Sequence, residues 1–507
     1  MKMYPSGMSI AQSSVSHGRP NSLRAARCPH LLEVAARPFV RHCGDRATLD
    51  DVPDEVLDRI AARGFHAVWL MGVWRTSPFA RREALGHPAL RAEYARLLGN
   101  YHDADVGGSP YAIEAYEVAE SLGGDVALAR FRERLRRRGV SLVLDFVPNH
   151  LARDHPWLDR HPQRLVRGTE RDLAKHPDNW FLHTDLEGRE HVFAHGRDPY
   201  FAGWTDTVQV DYRNAEARSA MRDLLASVAE RCDGVRCDMA MLLLAEVFAS
   251  TWGGERPPGD FWDEAIAEIR RRHPGFVFIA EVYWGLEDEL HTLGFDYTYD
   301  KELYDRLVAA DRAGIRSVLS LPQAAQSHRV RFLENHDEPR SRSVFGDRLV
   351  AAAAITYSLP GLRFFFEGQS DGRWHRIPVQ LAREPFEERI EWVARFYDRL
   401  FEILSEDVFH AGQWCPQPVD SRAPEPSWIL GSRWTLGEDT RIVLANVSGS
   451  VASGAVRWPL PENGSDMLVI VDEVTNARYE YSRRSLREAG LPVELGGYGA
   501  HFLRIAD

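Results

Sequence analysis

The chain has 507 residues, of which 44% are hydrophobic and 27% are charged, values that are ordinary for a soluble globular protein. The formal net charge of −12 at pH 7 argues against nucleic acid or an anionic membrane surface as the main partner. No stretch is long and apolar enough for a membrane span, and residues 1–30 lack the apolar run of a signal peptide. The five cysteines include no CxxC pair, which is typical of a reducing compartment, so we expect a cytoplasmic protein.

The N-terminal third of the chain begins without structure and then alternates between strand and helix patterns. Residues 1–30, rich in Ser, Gly and Pro, predict a loose tail. A weak strand pattern follows in "HLLEVA", then a helix pattern ending near Gly64 and an apolar strand pattern in "HAVWLMGVW". The helix pattern "GGDVALARFRERLRRRG", with Asp125 as candidate N-cap and Gly139 as candidate end, leads directly into the apolar strand "VSLVLDF". A helix followed at once by a wholly apolar strand indicates a buried parallel sheet.

The alternation continues to about residue 405. A helix pattern capped by Asn214 precedes "DGVRCD", and further strand patterns are "FVFIAE", "HRVRFLENHD" and "GLRFFFEG", with helix patterns between them and after the last. About eight strand candidates alternating with helices predict an α/β fold, a (β/α)₈ TIM barrel over residues 31–405. The gap after the third strand predicts an excursion, a small inserted subdomain at about 151–213. An open doubly wound sheet is the alternative, but no GxGxxG turn follows an early strand.

The pattern of apolar and polar residues changes after residue 406. Short strand-like runs such as "SWILGSRWTL", "TRIVLANVSG" and "SDMLVIVDEV" replace the helix–strand alternation. They predict a C-terminal antiparallel β-sandwich domain over residues 406–507.

Several of the predicted barrel strands end in ionisable or amide side chains. In a parallel barrel the chemistry lies at the carboxyl ends of the strands, where the loops that follow them meet. Burying a polar group is unfavourable unless it is paired or used. The side chains at these ends are Asn149, His150, Asp238, Glu281, His336 and Asp337. Different strands therefore deliver three carboxylates and two imidazoles to one end of the barrel.

Paired carboxylates at one site can divide an acid–base task. One stays ionised and attacks, while the other, with a raised pKa, protonates a leaving group, as in glycoside hydrolysis. Arg236 lies two residues before Asp238, so both side chains point the same way on a strand, and its charge keeps a nucleophilic carboxylate ionised. Taken singly, Asp238 fits a helix N-cap, Glu281 a loop residue and His150 a structural histidine. The set as a whole favours a catalytic site.

The strand ends resemble the four signature regions of a known family. "DFVPNH" (145–150), "GVRCD" (234–238), "FIAE" ending at Glu281 and "ENHD" (334–337) are similar, in this order, to those of the α-amylase family of retaining α-glycoside hydrolases and transglycosylases. "VQVDYRNAEAR", "LPGLRFFFEGQ" and "GGYGAHFLRI" resemble further segments of that family, so the resemblance covers most of residues 50–507.

The resemblance implies a role for each of the residues at the strand ends. Asp238 would be the nucleophile, Glu281 the general acid and then the base, and Asp337 would stabilise the distorted sugar. The residues that would bind this sugar or position the nucleophile are His150, Arg236 and His336. Asp145, inside its strand, would have a structural role.

The sequence also departs from the family pattern. Met241 and Leu242 stand where many α-amylases have a Lys-His pair, which weakens both a starch-cleaving assignment and the usual calcium site, so structural hydrogen bonding is predicted for Asn149. Ala112 and Ala115 stand where family members carry acids that grip a terminal sugar, which puts specificity for a free sugar end in doubt.

Aromatic residues supply the remaining candidates for sugar contact. Tyr111 and Tyr116 remain in the segment that has lost the acids, and Tyr116 is the candidate for stacking on a sugar, with a core aromatic as the equal alternative. Other sugar platforms are Trp69, Trp74, Trp204 and Trp284, for each of which a core position is the alternative.

Three functional hypotheses follow. The first is a retaining hydrolase of α-glucosidic bonds in α-glucans or short α-glucosides. The alternative is a transglycosylase with the same residues, and a non-catalytic carbohydrate-binding protein is a third, which the presence of Asp238, Glu281 and Asp337 disfavours. A carbohydrate is the expected partner, and no motif indicates a cofactor or a catalytic metal. The sequence does not indicate an oligomeric state.

Overall fold

A closed barrel of eight parallel strands forms the centre of the molecule. The computed structural model describes residues 21–421, 427–460 and 465–506. The barrel strands are β1 (His30–Ala35), β2 (Ala67–Met71), β3 (Ser141–Phe146), β4 (Gly234–Cys237), β5 (Val277–Ala280), β6 (Tyr297–Tyr299), β7 (Arg329–Arg331) and β8 (Leu362–Phe366). Each strand pairs with its neighbours in sequence, and β8 pairs with β1. The predicted TIM barrel is confirmed. The sequence patterns quoted above did not include β6, because its residues, Tyr-Thr-Tyr between Asp296 and Asp300, form no continuous apolar run.

Helices surround this barrel. They are Ala36–Arg41, Asp54–Ala62, Gly124–Arg137, Ala215–Ala229, Ala245–Trp252, Phe261–Arg272, Glu287–Thr292, Lys301–Val308, Arg312–Leu319, Gln323–Gln326, Ser341–Phe345, Leu349–Ser358, Glu391–Leu404 and Val408–Ala411. Asn214 caps its helix as predicted, accepting a hydrogen bond from the Ala217 amide at 3.0 Å. The predicted cap at Asp125 is wrong, because the chain enters that helix through Gly123, whose φ of +92° few other residues adopt. In the described parts of the chain, no helix is long and apolar enough to cross a membrane.

Two long excursions leave the barrel at its carboxyl end. The predicted one, after β3, holds the antiparallel strands Arg167–Gly168, Trp180–Thr184 and Glu190–Ala194, and a pair formed by His150–Ala152 with Thr207–Gln209. A second excursion, after β2, was not predicted. It holds the helices Pro78–Gly86 and Pro88–Leu98 and the hairpin strands Trp74–Thr76 and Ile113–Val118. Both excursions end above the carboxyl ends of the barrel strands.

The C-terminal region is an antiparallel sandwich. One sheet contains, in spatial order, Gln413–Pro416, Ile429–Leu436, Asp439–Asn446, Ala500–Ala506, Met467–Asp472 and Arg478–Ser482. The other contains Val419–Ser421, Ala452–Val456 and Leu491–Leu495, and the helix Arg483–Ala489 precedes the last of these strands. Ile442, Leu444 and Val493 belong to a buried apolar cluster shared by the two sheets. The predicted β-sandwich is confirmed.

The residues just before β1 cover the amino-terminal end of the barrel. Residues 21–29 were assigned to the loose tail, but a short helix, Ser22–Ala25, lies there and Leu23 is fully buried. The Asn21 side chain donates to the carbonyl oxygens of Asp233 at 2.8 Å and Gly275 at 3.0 Å. The rest of the predicted tail, residues 1–20, lies outside the described residues.

Three imidazoles pack together at the same end of the barrel. The ring centroids of His30, His66 and His410 lie 5.4–5.7 Å apart, and Arg363 Nη1 lies 3.1 Å from His30 Nε2. Burial, and then the charge of Arg363, lower the pKa of His66 to about 4 and that of His410 to about 3. Burial likewise lowers the pKa of His30 well below its usual value, so all three imidazoles are neutral at pH 7.

We expect the contribution of these three imidazoles to the free energy of unfolding to fall as the pH is lowered from 7 towards 4. Histidines in the unfolded chain titrate near 6.5, so the unfolded state binds more protons in this window. Each imidazole with a depressed pKa then costs up to about 1.4 kcal/mol per pH unit. Urea unfolding of the parent and of His410→Gln at pH 7.0 and 5.0 measures this contribution, and the variant should gain stability relative to the parent when the pH is lowered to 5.0. An unchanged difference between the two proteins would contradict the expectation.

Candidate active site

One buried guanidinium joins the two central carboxylates. Asp238 directly follows β4 and Glu281 directly follows β5, so both stand at the carboxyl end of the barrel. Arg236 Nη1 lies 2.7 Å from Asp238 Oδ1, and its Nη2 lies 2.8 Å from Glu281 Oε2. The Arg236 side chain is 1% exposed. Two carboxyl groups thus share a single cation in a site that is nearly closed to water.

Aromatic faces enclose this guanidinium. The Arg236 Cζ atom lies 5.2 Å from the ring centroid of Trp69, 5.5 Å from that of Tyr111 and 5.8 Å from that of Tyr299. Such faces stabilise a cation through the ring quadrupole. Burial works against the charge, but the carboxylate of Glu281 and its neighbours raise the pKa of Arg236 well above its usual value. The guanidinium is therefore a fixed positive charge.

Two further hydrogen bonds, one of them from a strained backbone position, fix the orientation of the Glu281 carboxyl group. Its Oε2 accepts a hydrogen bond from the Met239 amide at 2.7 Å, and its Oε1 accepts one from the Tyr283 hydroxyl at 2.7 Å. Met239 has a φ of +43°, which is unusual for a residue other than glycine and is typical of functional sites. Burial raises the pKa of both Asp238 and Glu281, while Arg236 opposes the rise. The two carboxyl groups therefore share similar surroundings, in which burial favours a proton and Arg236 favours the charge.

His336 lies between two other carboxylates. Its Nε2 is 3.0 Å from Asp337 Oδ2 and 2.8 Å from the Tyr111 hydroxyl, and its Nδ1 contacts Glu33 Oε1. Burial opposes protonation, but Asp337 and Glu33 raise the pKa of His336 well above 6.5. Burial likewise opposes the charge on Asp337, but the cationic His336 prevails and lowers the pKa of Asp337 to about 2. This imidazole is therefore a cation held between Glu33 and Asp337.

Glu33 and Tyr283 were not among the predicted site residues. Glu33 lies in β1, is fully buried, and interrupts an otherwise apolar strand, as Asp145 does in β3. The same signal was therefore present in "HLLEVA". Tyr283 follows Glu281 by two residues, and nothing in the sequence indicates that its hydroxyl reaches the carboxyl group.

Asp145 links two barrel strands. Its carboxylate accepts from Trp69 Nε1 at 3.1 Å and from the Gly72 amide at 2.7 Å, and its backbone carbonyl accepts from Trp74 Nε1 at 2.8 Å. Burial raises the pKa of Asp145 to about 6, although Arg236 opposes the rise. These contacts are those of a structural residue that holds Trp69 in place beside Arg236.

His150 lies at the edge of the site and Asn149 lies behind it. The His150 ring centroid is 5.0 Å from that of Trp204, and burial lowers the pKa of His150 to about 4, so this imidazole is neutral. Asn149 Oδ1 accepts a hydrogen bond from Gln209 Nε2 at 3.0 Å. Within the described residues, no group of His, Cys, Asp or Glu side chains is arranged to hold a metal ion. The Asn149 side chain thus makes a buried hydrogen bond to Gln209.

The structure separates the aromatic candidates. The Tyr116 ring packs against Trp74 and Phe146, and its hydroxyl bonds to the backbone of Val147, as a core aromatic would. Trp69 and Trp74 are fully buried, and so are Met241 and Leu242, which form no apolar surface at the site. Trp284 is 41% exposed, and its ring centroid lies 5.0 Å from that of Tyr200 in the excursion after β3. It is Tyr111, stacked on His336, whose ring stands beside the carboxylates.

Known proteins share both sequence and fold with this chain. The family described as "Alpha amylase, catalytic domain" matches residues 55–377. Alpha-amylase MalA of Haloarcula japonica is 25% identical over 354 residues, which cover 68% of this chain and 44% of that protein. Alpha-1,4-glucan:maltose-1-phosphate maltosyltransferase of Pseudomonas aeruginosa is 27% identical over 263 residues, which cover 50% of this chain and 32% of that protein. The chain thus spans less than half the length of each of these two relatives.

A solved structure extends the likeness to nearly the whole chain. A noncanonic maltogenic alpha-amylase, AmyB, from Thermotoga neapolitana superposes with a TM-score of 0.67 at 18% identity, over 96% of this chain and 100% of the other. At that identity the likeness shows the fold alone. The family match, in contrast, spans more than half of the chain and includes the strand ends that hold Asp238, Glu281 and Asp337. The chain therefore belongs to the alpha-amylase family.

Proposed function

We propose that the protein is a retaining hydrolase of α-glucosidic bonds in α-glucans or short α-glucosides. The observation that supports this most directly is the Arg236 guanidinium bound to both Asp238 and Glu281 at the carboxyl end of the barrel. Double displacement requires a nucleophile and an acid that lie close together. Here one cation holds the two carboxyl groups in the same site. The family membership and the names of the relatives agree with this chemistry. The five cysteines are free thiols, in keeping with the proposed cytoplasmic location.

In the first step the Asp238 carboxylate attacks the anomeric carbon while Glu281 gives its proton to the departing glycosidic oxygen. The C–O bond to the leaving group breaks and a glycosyl ester of Asp238 forms. His336 and Asp337 bind hydroxyl groups of the same sugar and stabilise its distorted ring. Tyr283 and the Met239 amide keep the acid oriented towards that oxygen.

In the second step Glu281, now ionised, takes a proton from water, whose oxygen attacks the anomeric carbon. The ester bond to Asp238 breaks, the carboxylate returns to Arg236, and the sugar leaves with its original configuration. Two inversions at one carbon account for retention.

A transglycosylase is the second candidate, in which a sugar hydroxyl replaces water. Trp284 and Tyr200 favour it, because Trp284, in the loop after Glu281, forms an exposed aromatic pair with Tyr200 of the excursion after β3, on the side where an acceptor would bind. The curated relatives include a maltosyltransferase as well as an alpha-amylase. The two candidates share every residue of the first step.

We expect purified protein to shorten maltoheptaose and to release the α-anomer first. Chromatography of the products, with trehalose, sucrose and isomaltose as parallel substrates, identifies the linkage, and proton NMR of the first turnovers identifies the anomer. Products longer than the substrate would establish transglycosylation instead. An initial β-anomer would refute the retaining mechanism, and no reaction on any of the four sugars would refute an α-glucosidic substrate of this kind.

A further inference from the structure

The position of the general acid defines two sides of the proposed site. Glu281 protonates the oxygen that joins the two sugars, so the leaving part of the substrate lies on the side of β5. The sugar attached to Asp238, and any unit beyond it, must extend away from the acid. Across the closed barrel from β5 stand β1 and its neighbours β2 and β8. The loops after β2 and β8 therefore form the walls on the glycone side.

These two loops are joined to each other through backbone contacts. Val106 and Leu381 form an antiparallel β-bridge. The Gly107 amide donates to the Gln380 carbonyl at 2.8 Å, and the Ala382 amide donates to the Asp105 carbonyl at 2.7 Å. We call these contacts between residues 105–107 and residues 380–383 the seam. A substrate strand cannot pass between two chain segments that are hydrogen-bonded to each other.

A partly buried ion pair and an apolar cluster reinforce the seam. Arg383 Nε and Nη2 donate to the two carboxylate oxygens of Asp105 at 2.9 and 2.8 Å, and Asp105 is 4% exposed. Such bidentate pairs are among the stronger and more specific charged hydrogen bonds. Val106 and Leu381 are each 1% exposed and pack with Tyr94 from the helix Pro88–Leu98. The seam is therefore part of the folded core of the excursion after β2 rather than a contact between two loose loops.

A cavity lies between the seam and the catalytic residues. Its volume, about 30 Å³, leaves no room for a further sugar ring, and its lining includes Ala35, Met71, Pro110, His336, Ile377 and Leu381. His336 contacts Asp337, so the cavity adjoins the sugar-binding residues at one end. Leu381 belongs to the seam, so the other end is closed.

The opposite side of the site is different in character. Tyr200, Phe201 and Trp284 are 68%, 72% and 41% exposed there, and among the described contacts no backbone bridge joins the loops that hold them. A chain of several sugars can lie across such a surface, because the aromatic rings can stack on the sugars and no wall limits the length of the sugar chain.

We propose that the glycone side of this site is a blind pocket, so that the protein takes α-glucosides by their non-reducing end and does not cleave inside a chain. The inference rests on the proposed function and narrows its substrate class. The acids that would grip a terminal sugar are replaced by Ala112 and Ala115. In this chain the Asp105–Arg383 ion pair and the Val106–Leu381 bridge close the cleft instead of those acids.

The test compares two forms of maltoheptaose that carry the same fluorescent label at the reducing end. One has a free non-reducing end, and in the other the 4- and 6-hydroxyls of that end are joined in an ethylidene acetal. We expect the free form to lose units from its unlabelled end and the blocked form to react at least about 100-fold more slowly, because the blocking group meets a wall. Equal rates on both forms, with labelled products of intermediate length from the start, would overturn the inference. Cleavage of neither form would refute the proposed function itself.

Two variants connect the result to the seam. Replacing residues 377–383 by a Gly-Ser segment of equal length removes the wall, and we expect this variant to cleave the blocked form within about 10-fold of the free form. Arg389→Ala, in the same loop but paired with Asp398 away from the seam, is the matched control and should discriminate as the parent does. If the folded loop variant still rejects the blocked form, the seam is not the wall and the proposal is wrong. Arg383→Ala is the milder alternative should the loop variant fail to fold.

Discussion

Asp238→Asn should leave the fold intact and lower kcat on α-glucosides by at least about four orders of magnitude. The amide has the shape of the carboxylate, but it carries no charge and cannot form the ester with the anomeric carbon. In the parent, Arg236 Nη1 faces a carboxylate oxygen of Asp238 at 2.7 Å. In the variant the amide nitrogen cannot accept a hydrogen bond from this donor, so the side chain turns its remaining oxygen to Arg236. Initial rates on the substrate identified for the parent protein, with circular dichroism as the test of folding, measure the loss.

Controls separate the nucleophile from the acid. Glu281→Gln should be as damaging on substrates that need protonation, but on α-glucosyl fluoride it should still release a first equivalent of fluoride rapidly, because fluoride leaves without a proton, before the slow second step, which lacks its base, limits turnover. Asp238→Asn should be inactive on both. Asp58→Asn, at an exposed helix position paired with Arg138, removes one surface carboxylate and should leave the rate unchanged. Activity of Asp238→Asn near that of the parent would exclude Asp238 as the nucleophile.

Arg236→Met should destabilise the protein by about 3–5 kcal/mol at pH 7 and abolish most of the activity. The substitution leaves Asp238 and Glu281 buried without their shared cation, and a buried charge without a partner is strongly unfavourable. The pKa of both carboxyl groups is already raised by burial, and without the cation it rises further. Urea unfolding of parent and variant gives the difference.

The pH dependence of that difference identifies its cause. A folded pKa above the unfolded value means that the folded state binds protons more tightly, so the penalty is full at high pH and shrinks as the carboxyl groups become protonated. We therefore expect the stability gap between Arg236→Met and the parent to be smaller at pH 5 than at pH 8. Arg231→Met, whose guanidinium pairs with Asp125 at the surface, is the matched control and should cost less than about 1 kcal/mol. A gap that does not change with pH would mean lost packing rather than unpaired charge.

The barrel can be predicted from the sequence because the barrel strands are buried on both faces, whereas the helices around them are buried on one face only. Such strands read as continuous apolar runs, and "VSLVLDF" and "GLRFFFEG" stand out from the amphipathic helices beside them. β6, Tyr-Thr-Tyr between two aspartates, has no such apolar run. Polar residues at strand ends are visible for the same reason, since an acid after an apolar run contrasts with it. Asp238, Glu281 and Asp337 could therefore be named before any contact was known.

What the sequence does not give is the partner of each side chain. Glu33 and His336 are 303 positions apart, and Asp105 and Arg383 are 278 apart. No local pattern encodes such pairs, because they arise only when the barrel closes. Tyr111 and Tyr116 illustrate the same limit at short range. Five residues apart, they look alike as candidates, yet one stacks on His336 and the other bonds to the Val147 backbone.

The shared guanidinium has a consequence for the charge balance of the proposed cycle. Before the first step the negative charge beside Arg236 is on Asp238, and Glu281 holds a proton. Once the ester has formed, Asp238 is neutral and the proton has left with the departing sugar, so the same charge is on Glu281. The ion pair therefore moves from Nη1 to Nη2 of one immobile side chain, and the total charge of the cluster does not change. Neither water nor protein therefore has to reorganise around a newly created ion. In a buried site such reorganisation is the main cost of a reaction that separates charge.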